Sequence, residues 1–332
     1  MALLRRRSSG SADPSDPSRP LPAPEDPADP ADLSHLVSAA PEGQLPSVAV
    51  MTMARDEGAM LGRWVRHYAA QVGAEHVYVV DDQTTDGSTD DLAGPVLRIP
   101  PLRKRGFEPS RMEVMAGLSA GLLAAYDAVV FCDTDEFIVP DPDHHASLLH
   151  YVAARPGRQA VGVTALNVVH DVSREGPLRD DAPVLSQRAL AKFAPLMCKP
   201  SLKWVPARWA HASHGIECPY EVDPELFMFH LKFADRDHLA DAAAKRHAAF
   251  RDDGRAARTS WERPADEMVD LLDEITADID LEQVERFRPR PARLERIVQR
   301  QGAMWRATGA GQVQAMRSQP LVRVPRRFRD LV

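Results

Sequence analysis

The stretch Asp127-Ala-Val-Val-Phe-Cys-Asp-Thr-Asp-Glu-Phe-Ile-Val139 decides how the rest of the chain is organised. An apolar run at 128–132 leads into four residues, three of them acidic, before a second apolar trio at 137–139. The first run is short and rich in β-branched and aromatic residues, which predicts a buried strand. In an extended chain residues i and i+2 point to the same side, roughly 6.5–7 Å apart. Asp133 and Asp135 are therefore expected to bracket one cation at the carboxyl end of this strand.

An Asp-x-Asp motif by itself is weak evidence, because aspartate is common wherever strands give way to turns. Here the motif stands between two core-like segments and is followed by Glu136. Like charges held this close repel each other unless a cation or a proton intervenes. Oxygen ligands suit Mg²⁺ or Mn²⁺ better than zinc. The sequence therefore predicts a Mn²⁺ or Mg²⁺ cofactor at this motif.

The composition is that of a globular protein with an ample core. The 332 residues are 27% charged and 44% hydrophobic, enough for one large or two modest domains. A net charge of -7 argues against a nucleic-acid partner bound through overall charge. Cys132, Cys198 and Cys218 show neither a CxxC motif nor metal-ligand spacing, which favours a reducing, cytoplasmic location. No apolar run approaches 18 residues, so no transmembrane helix is expected.

Three regions differ in composition. Residues 1–46 are rich in Pro, Ser, Asp and Ala and are predicted to be a disordered leader. Residues 47–285 are expected to form the main domain. Residues 286–332 are basic and are predicted to be a helical extension with one apolar stripe (Leu294, Ile297, Val298, Met304, Trp305). Two interpretations of this extension stay open: a helix that packs on the domain, or an interfacial helix that places the protein at the inner face of an anionic membrane.

Strand and helix patterns alternate between residues 47 and 135. Strands are predicted at 47–53, 76–81, 96–99 and 128–132, and helices at 60–72 and 109–126. Strand, helix, strand at this spacing gives parallel strands. The fold is therefore predicted to be α/β, with a mostly parallel, doubly wound sheet and flanking helices. The second half reads as mixed α+β, with strands expected at 160–169, 197–205, 209–214 and 226–233 and helices at 147–154, 235–250 and 264–277.

Acidic residues follow three of the predicted parallel strands: Asp56-Glu57, Asp81-Asp82 and Asp133-x-Asp135. In such sheets ligands bind beyond the carboxyl ends of the strands. Acids gathered on one rim indicate a metal with a phosphorylated ligand, or a hydroxyl-rich ligand such as a sugar or ribose. Neither a Gly-x-Gly-x-x-Gly nor a P-loop motif is present, which argues against dinucleotide oxidoreductases and P-loop enzymes.

Histidines cluster in the second half at 211, 214 and 230. His214 precedes Gly215 in a predicted loop and is the better ligand candidate of the first two. His230 lies within an apolar strand, where a core role and a ligand role both stay open.

Three blocks together resemble glycosyltransferases of the family 2-like, GT-A type, nearest to the branch with an Asp-x-Asp-Glu-Phe motif that includes family 92-like enzymes. Thr52-Met-Ala-Arg-Asp-Glu57, followed by Leu61, Trp64 and His67, is similar to the opening strand and helix. Asp81-Asp-Gln-Thr-Thr-Asp-Gly87 resembles the family's "DNGSTDG" turn. Asp133-Thr-Asp-Glu-Phe137 resembles its metal motif, and Lys199-Pro200, His214 and His230 follow the branch's order.

This resemblance implies a hexosyltransferase-type enzyme that moves a sugar from a nucleotide-diphosphate-sugar donor to a hydroxyl of a carbohydrate or glycoconjugate. Asp81 would contact the nucleoside, with Asp82 in the same turn, and Glu57 would lie near the base or ribose. Asp133 and Asp135 would flank or bind the metal ion, which makes Asp135 a catalytic candidate too. His214 or His230 would complete the coordination.

Whether the reaction inverts or retains the anomeric configuration stays open; for an inverting reaction the family implies a carboxylate base from the later half of the chain. Glu217 is the first candidate because it follows His214-Gly215, and Asp223 and Glu225 are its rivals. Asp56 and Asp82-Gln83 depart from the family's Asn and Asn-Gly.

Two other classes stay open. A nucleotidyltransferase shares the sheet and the paired acids but usually carries a Gly-rich phosphate loop. A non-catalytic carbohydrate-binding or scaffold protein would share the fold without the activity.

Overall fold

The computed structural model describes residue 33 and residues 43–102, 106–253 and 264–332. Most of the predicted leader at 1–46 therefore lies outside the described residues.

The first half forms the parallel part of a large sheet. Its strands are β1 (Val48–Ala54), β2 (Val77–Asp81), β3 (Val96–Arg98) and β4 (Ala128–Phe131), which lie in the order β4-β1-β2-β3 with every pair parallel. The connections contain α1 (Ala59–Val72) and α2 (Phe107–Leu122). The apolar positions of α1 that recur at helical spacing are all buried (Met60, Leu61, Trp64, Val65, Tyr68, Val72). The predicted βαβ alternation is confirmed.

The strand order reverses beside β1. The chain adds β2 and β3 on one side of β1 and then returns to place β4 on the other side. Ligands of open α/β sheets bind in the crevice beyond the carboxyl ends at such a reversal. The residues after β1 and β4, which include Glu57 and Asp133, lie at that crevice.

The second half extends the same sheet with mixed pairing. It contributes β5 (Glu136–Pro140), β6 (Ala160–Val169), β7 (Leu190–Phe193), β8 (Leu202–Lys203) and β10 (Glu221–Phe233), with β10 parallel to β6 and antiparallel to β5. Helices α3 (Leu148–Ala153), α4 (Val184–Gln187), α5 (Arg236–Asp253) and α6 (Ala265–Thr276) lie between or after these strands. The α/β class, the large sheet with flanking helices and the mixed second half are confirmed.

Two strands expected in this half differ in the structure. The strand expected at 197–205 is reduced to the two residues of β8. The segment expected as a strand at 209–214 contains a 3₁₀ turn at His211–Ser213, followed by the short strand β9 (Gly215–Ile216). The hydrophobic pattern there was misleading because the apolar residues pack within a loop and not along a ladder.

The region at 286–332, which was predicted to be helical, contains both helices and strands. Two short helices, α7 (Pro291–Leu294) and α8 (Gln312–Ser318), are separated by a hairpin of β11 (Val298–Gln301) and β12 (Met304–Ala307). Gly302 has φ 63, as the tight turn between these strands requires. The apolar stripe inferred for one helix is thus divided by a turn.

Two strands of this C-terminal region pair with strands from earlier in the chain. Strand β12 pairs with β9 to give a small three-stranded sheet. Strand β13 (Leu321–Arg323) pairs with β7 at the edge of the main sheet. Among the described residues, no helix has both the length and the apolar character that crossing a membrane would require.

Candidate active site

A tight turn carries the Asp133-Thr-Asp-Glu motif from β4 into β5. The Glu136 amide donates to the Asp133 carbonyl at 3.0 Å, and the Asp133 amide donates to Glu136 Oε2 at 3.1 Å. The backbone of the motif is therefore a turn and not the extended strand that was expected, while Asp133 and Asp135 remain close enough for the charge of Asp135 to raise the pKa of Asp133. The turn directs the two carboxylates to different partners.

Asp133 lies between two basic residues from distant parts of the chain. Its carboxylate accepts from Arg111 Nη2 of α2 and lies 3.7 Å from Lys199 Nζ. Burial raises the pKa of Asp133, but the charges of Arg111 and Lys199 outweigh burial and leave that pKa lowered. The side chain remains 37% exposed. Asp133 is thus ionised and accessible from the rim of the sheet.

Glu136 forms the deepest ion pair of the motif. Lys199 Nζ lies 2.7 Å from Glu136 Oε1, and each side chain is 1% exposed. Burial is the main influence on Glu136 and raises its pKa, against the charge of Lys199. The like charges of the motif, which suggested a metal ion from sequence, are therefore balanced in part by the protein's own cations.

Asp135 faces His230 of β10. Strands β5 and β10 pair Glu136 with His230, and the Leu231 amide donates to the Asp135 carbonyl at 2.8 Å. This register brings His230 Nε2 to 3.3 Å from Asp135 Oδ2. Burial raises the pKa of Asp135, but His230 and the nearby basic groups lower it well below its usual range.

The other nitrogen of His230 is fixed by its neighbour in β6. Asn167 is the registered partner of His230, and Asn167 Oδ1 accepts from His230 Nδ1 at 2.7 Å. A histidine whose Nδ1–H is held in this way presents Nε2 to a metal ion. The register of β10 against β6 shifts just after His230, and such bulges recur next to active sites.

A divalent cation fits this arrangement. Ligand atoms of Asp135, Glu136 and His230 all lie within 4.8 Å of one another, and all three residues are buried. Carboxylate oxygens with one imidazole suit Mn²⁺ or Mg²⁺. Asp133 and His214, which the sequence also proposed as ligands, are not members of this group.

Glu57 connects the end of β1 with this motif across the strand reversal. Burial is the main influence on Glu57 and raises its pKa. Arg246 opposes this shift, while the charges of Asp135 and Asp133 add to it, and the Thr134 side chain forms a hydrogen bond with Glu57. The predicted convergence of acids from β1 and β4 is thus present in the structure.

Two cations from the second half complete the surroundings of Asp135. Arg246 Nη2 of α5 lies 3.4 Å from Asp135 Oδ2. Lys232 Nζ donates to Gln312 Oε1 at 3.1 Å, and burial, reinforced by Arg246 and opposed by Asp135, lowers the pKa of Lys232 to about 7. Positive charge beside a metal site favours an anionic ligand such as a diphosphate.

Asp81 organises the turn that follows β2. Its Oδ1 accepts from the Thr84 amide at 2.7 Å, its Oδ2 accepts from Thr89 Oγ1 at 3.1 Å, and Arg98 Nε lies 3.4 Å away. Asp82 is buried, and its amide donates to the Ala54 carbonyl at 3.0 Å. Two strand spacings separate β2 from β4, about 10 Å, so Asp81 and Asp133 lie on the same rim at opposite sides of β1.

The loops after β1 and β2 bind each other. Asp56 Oδ1 accepts from the amides of Thr85 and Asp86 at 2.7 and 3.2 Å, and Asp86 Oδ2 accepts from the Gly58 amide at 3.0 Å. Asp56 and Gln83 have φ values of 54 and 65, which non-glycine residues rarely adopt. Strained backbone of this kind clusters at binding sites.

The later candidates lie in different places. His214 Nδ1 donates to the Leu196 carbonyl at 2.7 Å, and burial, with the charge of Lys199, lowers the His214 pKa to about 4, so the ring is neutral. Glu217 Oε2 accepts from the Arg208 amide at 3.1 Å.

The two rivals of Glu217 lie at the far end of β10. Asp223 and Glu225 both bind Arg155, at 2.9 and 2.7 Å. Five residues of strand, about 16 Å, separate Glu225 from His230. Both carboxylates are occupied by ion pairs away from the Asp135 group.

Reasoning from sequence missed Arg111 and Arg246, although a signal was available. Arg111 lies four residues before Met115 on α2, and Arg246 lies seven residues after Leu239 on α5. Both arginines therefore share a helix face with buried apolar residues. An arginine on such a face needs a buried carboxylate as a partner.

No family model and no curated protein matches the chain. Similar solved structures include the mannosyltransferase PcManGT from Pyrobaculum calidifontis in complex with GDP-Man and Mn²⁺, at 22% identity and a TM-score of 0.26, over 40% of this chain and 39% of that chain. Glucosyl-3-phosphoglycerate synthase from Mycobacterium tuberculosis, in complex with Mn²⁺, UDP and glucosyl-3-phosphoglycerate, is similar at 20% identity and a TM-score of 0.25, over 36% of this chain and 44% of that chain. A CMP:2-keto-3-deoxy-manno-octonic acid synthetase complexed with CTP is similar at 13% identity and a TM-score of 0.26, over 48% of this chain and 65% of that chain. The chain spans less than half the length of the first two proteins.

Proposed function

We propose that this chain is a GT-A-type glycosyltransferase that depends on Mn²⁺ or Mg²⁺ and moves a sugar from a nucleoside-diphosphate-sugar to an acceptor hydroxyl. One observation carries the proposal. His230 Nε2 lies 3.3 Å from Asp135 Oδ2 beside the strand reversal, and Asn167 accepts a hydrogen bond from Nδ1 of the same ring. This is the arrangement of a metal-binding pair with its supporting partner.

The donor would lie along the rim from β2 to β4. Asp81 and Asp82 lie at the nucleoside end. Hydrogen bonds from the Thr84 amide to Asp81 and from the Asp82 amide to the Ala54 carbonyl already order this turn without a ligand. Glu57, between the two ends, has a raised pKa and is suited to bonding with a ribose hydroxyl. Arg246 offers positive charge to the diphosphate at the β4 end, and Lys232, whose pKa is lowered to about 7, is protonated in about half of the molecules at that pH.

Asp135 and His230 would hold the divalent ion, with Glu136 and the accessible Asp133 beside it. When bound, the ion neutralises the charge that develops on the departing nucleoside diphosphate. Glu136 has a competing partner in Lys199. Its role is therefore to fix the turn that presents Asp133 and Asp135.

The acceptor would approach from the loop that contains His214 and Glu217. We assign the base to Glu217, the one of the three carboxylate candidates that is not in an ion pair with Arg155. A carbohydrate or glycoconjugate is the acceptor class. A cytoplasmic location and contact with anionic lipid remain predictions from the sequence, which vesicle co-sedimentation would test.

Calorimetry with UDP- and GDP-sugars, with and without Mn²⁺, tests the proposal. Wild-type protein should bind at least one nucleotide sugar only with the metal ion. Asp135→Ala should weaken that binding at least 100-fold in protein that still unfolds cooperatively, although the loss of the partner of His230 and Arg246 lowers its melting temperature. Asp143→Ala, an exposed acid that faces Arg327, is the matched control and should bind as wild type. Unchanged affinity in Asp135→Ala would refute the site. Release of pyrophosphate from a nucleoside triphosphate and a sugar phosphate would instead identify a nucleotidyltransferase.

A further inference from the structure

The loop from Ala210 to Gly215, which contains His214, has an unfavourable backbone conformation. The Ala210 amide donates to the Gly215 carbonyl at 2.8 Å and closes the base of the loop. Within it Ala212 and Ser213 have φ values of 52 and 54. Two successive non-glycine residues in the left-handed region cost free energy, so other contacts must hold them there.

Glu108 of α2 supplies one such contact from outside the loop. Its Oε1 accepts from the Ala212 amide at 2.8 Å, and its side chain is 9% exposed. The same oxygen lies 3.4 Å from Arg111 Nη1, and Arg111 Nη2 donates to Asp133. A continuous chain of polar contacts therefore runs from Asp133 through Arg111 and Glu108 to the left-handed residues.

One buried polar group of the loop forms no hydrogen bond that stabilises the loop. Ser213 is buried, and its Oγ has no hydrogen-bond partner among the described residues. His214 is close enough to Lys199 and Asp133 to sense both charges. A buried hydroxyl without a partner is expensive unless a ligand or water satisfies it.

We propose that Glu108 is a positioning residue that ties the Ala210–Gly215 loop to Asp133, whose exposed carboxylate lies beside the Asp135–His230 pair. A ligand bound at Asp133 and the left-handed conformation of the loop then stabilise each other. Such coupling is reciprocal, so a ligand at Asp133 orders the loop, and an ordered loop favours that ligand. The identity of the ligand, a nucleoside diphosphate with a divalent ion, rests on the proposed function, whereas the link from Glu108 to the loop does not.

Hydrogen exchange of the Ala212 amide in the full chain tests the link without any ligand. Glu108→Ala should exchange at least 10-fold faster than wild type. Glu108→Gln keeps a carbonyl oxygen for the amide and should stay within threefold. Glu113→Ala is the matched control, since Glu113 is on the same helix but pairs with Arg208 at an exposed position, and it should also stay within threefold.

The effect of a substitution at Asp133 on exchange at Ala212 distinguishes a positioning role of Glu108 from a purely structural contact. Asp133→Asn removes the negative charge that Arg111 faces. It should speed exchange at Ala212 at least threefold, although the Ala212 amide donates to Glu108 and not to Asp133. Unchanged exchange in Asp133→Asn, or in Glu108→Ala, would overturn the proposal. Melting temperatures identify any variant that fails to fold, and the Gln and Asn variants then decide.

A second arm adds Mn²⁺ with UDP or GDP. Exchange at 211–214 should slow in wild type and not in Glu108→Ala. Ligand bound by wild type without any effect on the loop would count against the coupling. If wild type binds neither nucleotide, the proposed function fails, while the ligand-free comparison still decides the role of Glu108.

Discussion

Lys199 Nζ lies 2.7 Å from Glu136 Oε1, and both side chains are 1% exposed. This pair lies under the turn that carries Asp133 and Asp135, and the Asp133 amide donates to the other oxygen of Glu136. The ion pair therefore stabilises the turn at 133–136, which positions the carboxylates of the candidate active site.

Lys199→Met should lower the free energy of unfolding by about 3–5 kcal/mol, because it leaves the Glu136 carboxylate buried without its partner. Urea unfolding measures the change. Arg158→Met, which breaks the exposed pair with Glu221, should cost less than about 1 kcal/mol. Equal costs for the two variants would contradict the view that burial makes the Lys199 pair important.

Asn167→Ala should weaken Mn²⁺ binding about 10- to 100-fold, because His230 loses the acceptor that fixes its Nδ1–H. Asn167→Asp keeps an acceptor oxygen and should retain most of the affinity. Calorimetry with Mn²⁺ alone compares the variants. If Asn167→Ala binds Mn²⁺ as wild type does, His230 is not held as a ligand by Asn167.

His67 should make the protein less stable in acid. Burial lowers its pKa to about 4 despite a hydrogen bond to the Ile138 carbonyl. Above pH 6.5 the ring is neutral in both states. Between about pH 6.5 and 4 the unfolded chain binds a proton that the folded one rejects, so stability falls by up to about 3 kcal/mol as pH drops.

Urea unfolding between pH 4 and 7 measures this loss. His67→Gln should show a shallower fall in stability than wild type. His150→Gln, at an exposed position, should keep the wild-type slope. An unchanged slope in His67→Gln would mean that His67 does not contribute.

Gln83→Gly should not destabilise the protein, and a gain of up to about 1 kcal/mol is expected, because Gln83 has φ 65. Ala93→Gly, at an exposed position whose φ is not positive, should lose about 0.5–1 kcal/mol. Thermal unfolding of both variants makes the comparison. A clear loss in Gln83→Gly would show that the Gln83 side chain makes stabilising contacts that outweigh the strain.

The parallel half of the fold could be predicted from sequence because its signals are local. The helical spacing in α1 and the apolar runs of β1, β2 and β4 each fix an element within about 15 residues. Parallel strands joined by crossovers must present their carboxyl ends on one side. Asp81, Glu57 and Asp133 were therefore predicted to share a rim without knowledge of any long-range contact.

Only the tertiary structure decided which groups face each charge in the site. Arg111, Lys199 and Arg246 reach the motif from three separate elements, and the register of β5 with β10 selects His230. The sequence predicted an extended backbone at Asp133–Asp135, whereas the chain turns at 133–136 and gives each carboxylate its own cationic partners. Periodicity reports which face of an element is buried, whereas a charge's partner depends on contacts between residues far apart in the chain, and these leave no regular pattern in the sequence.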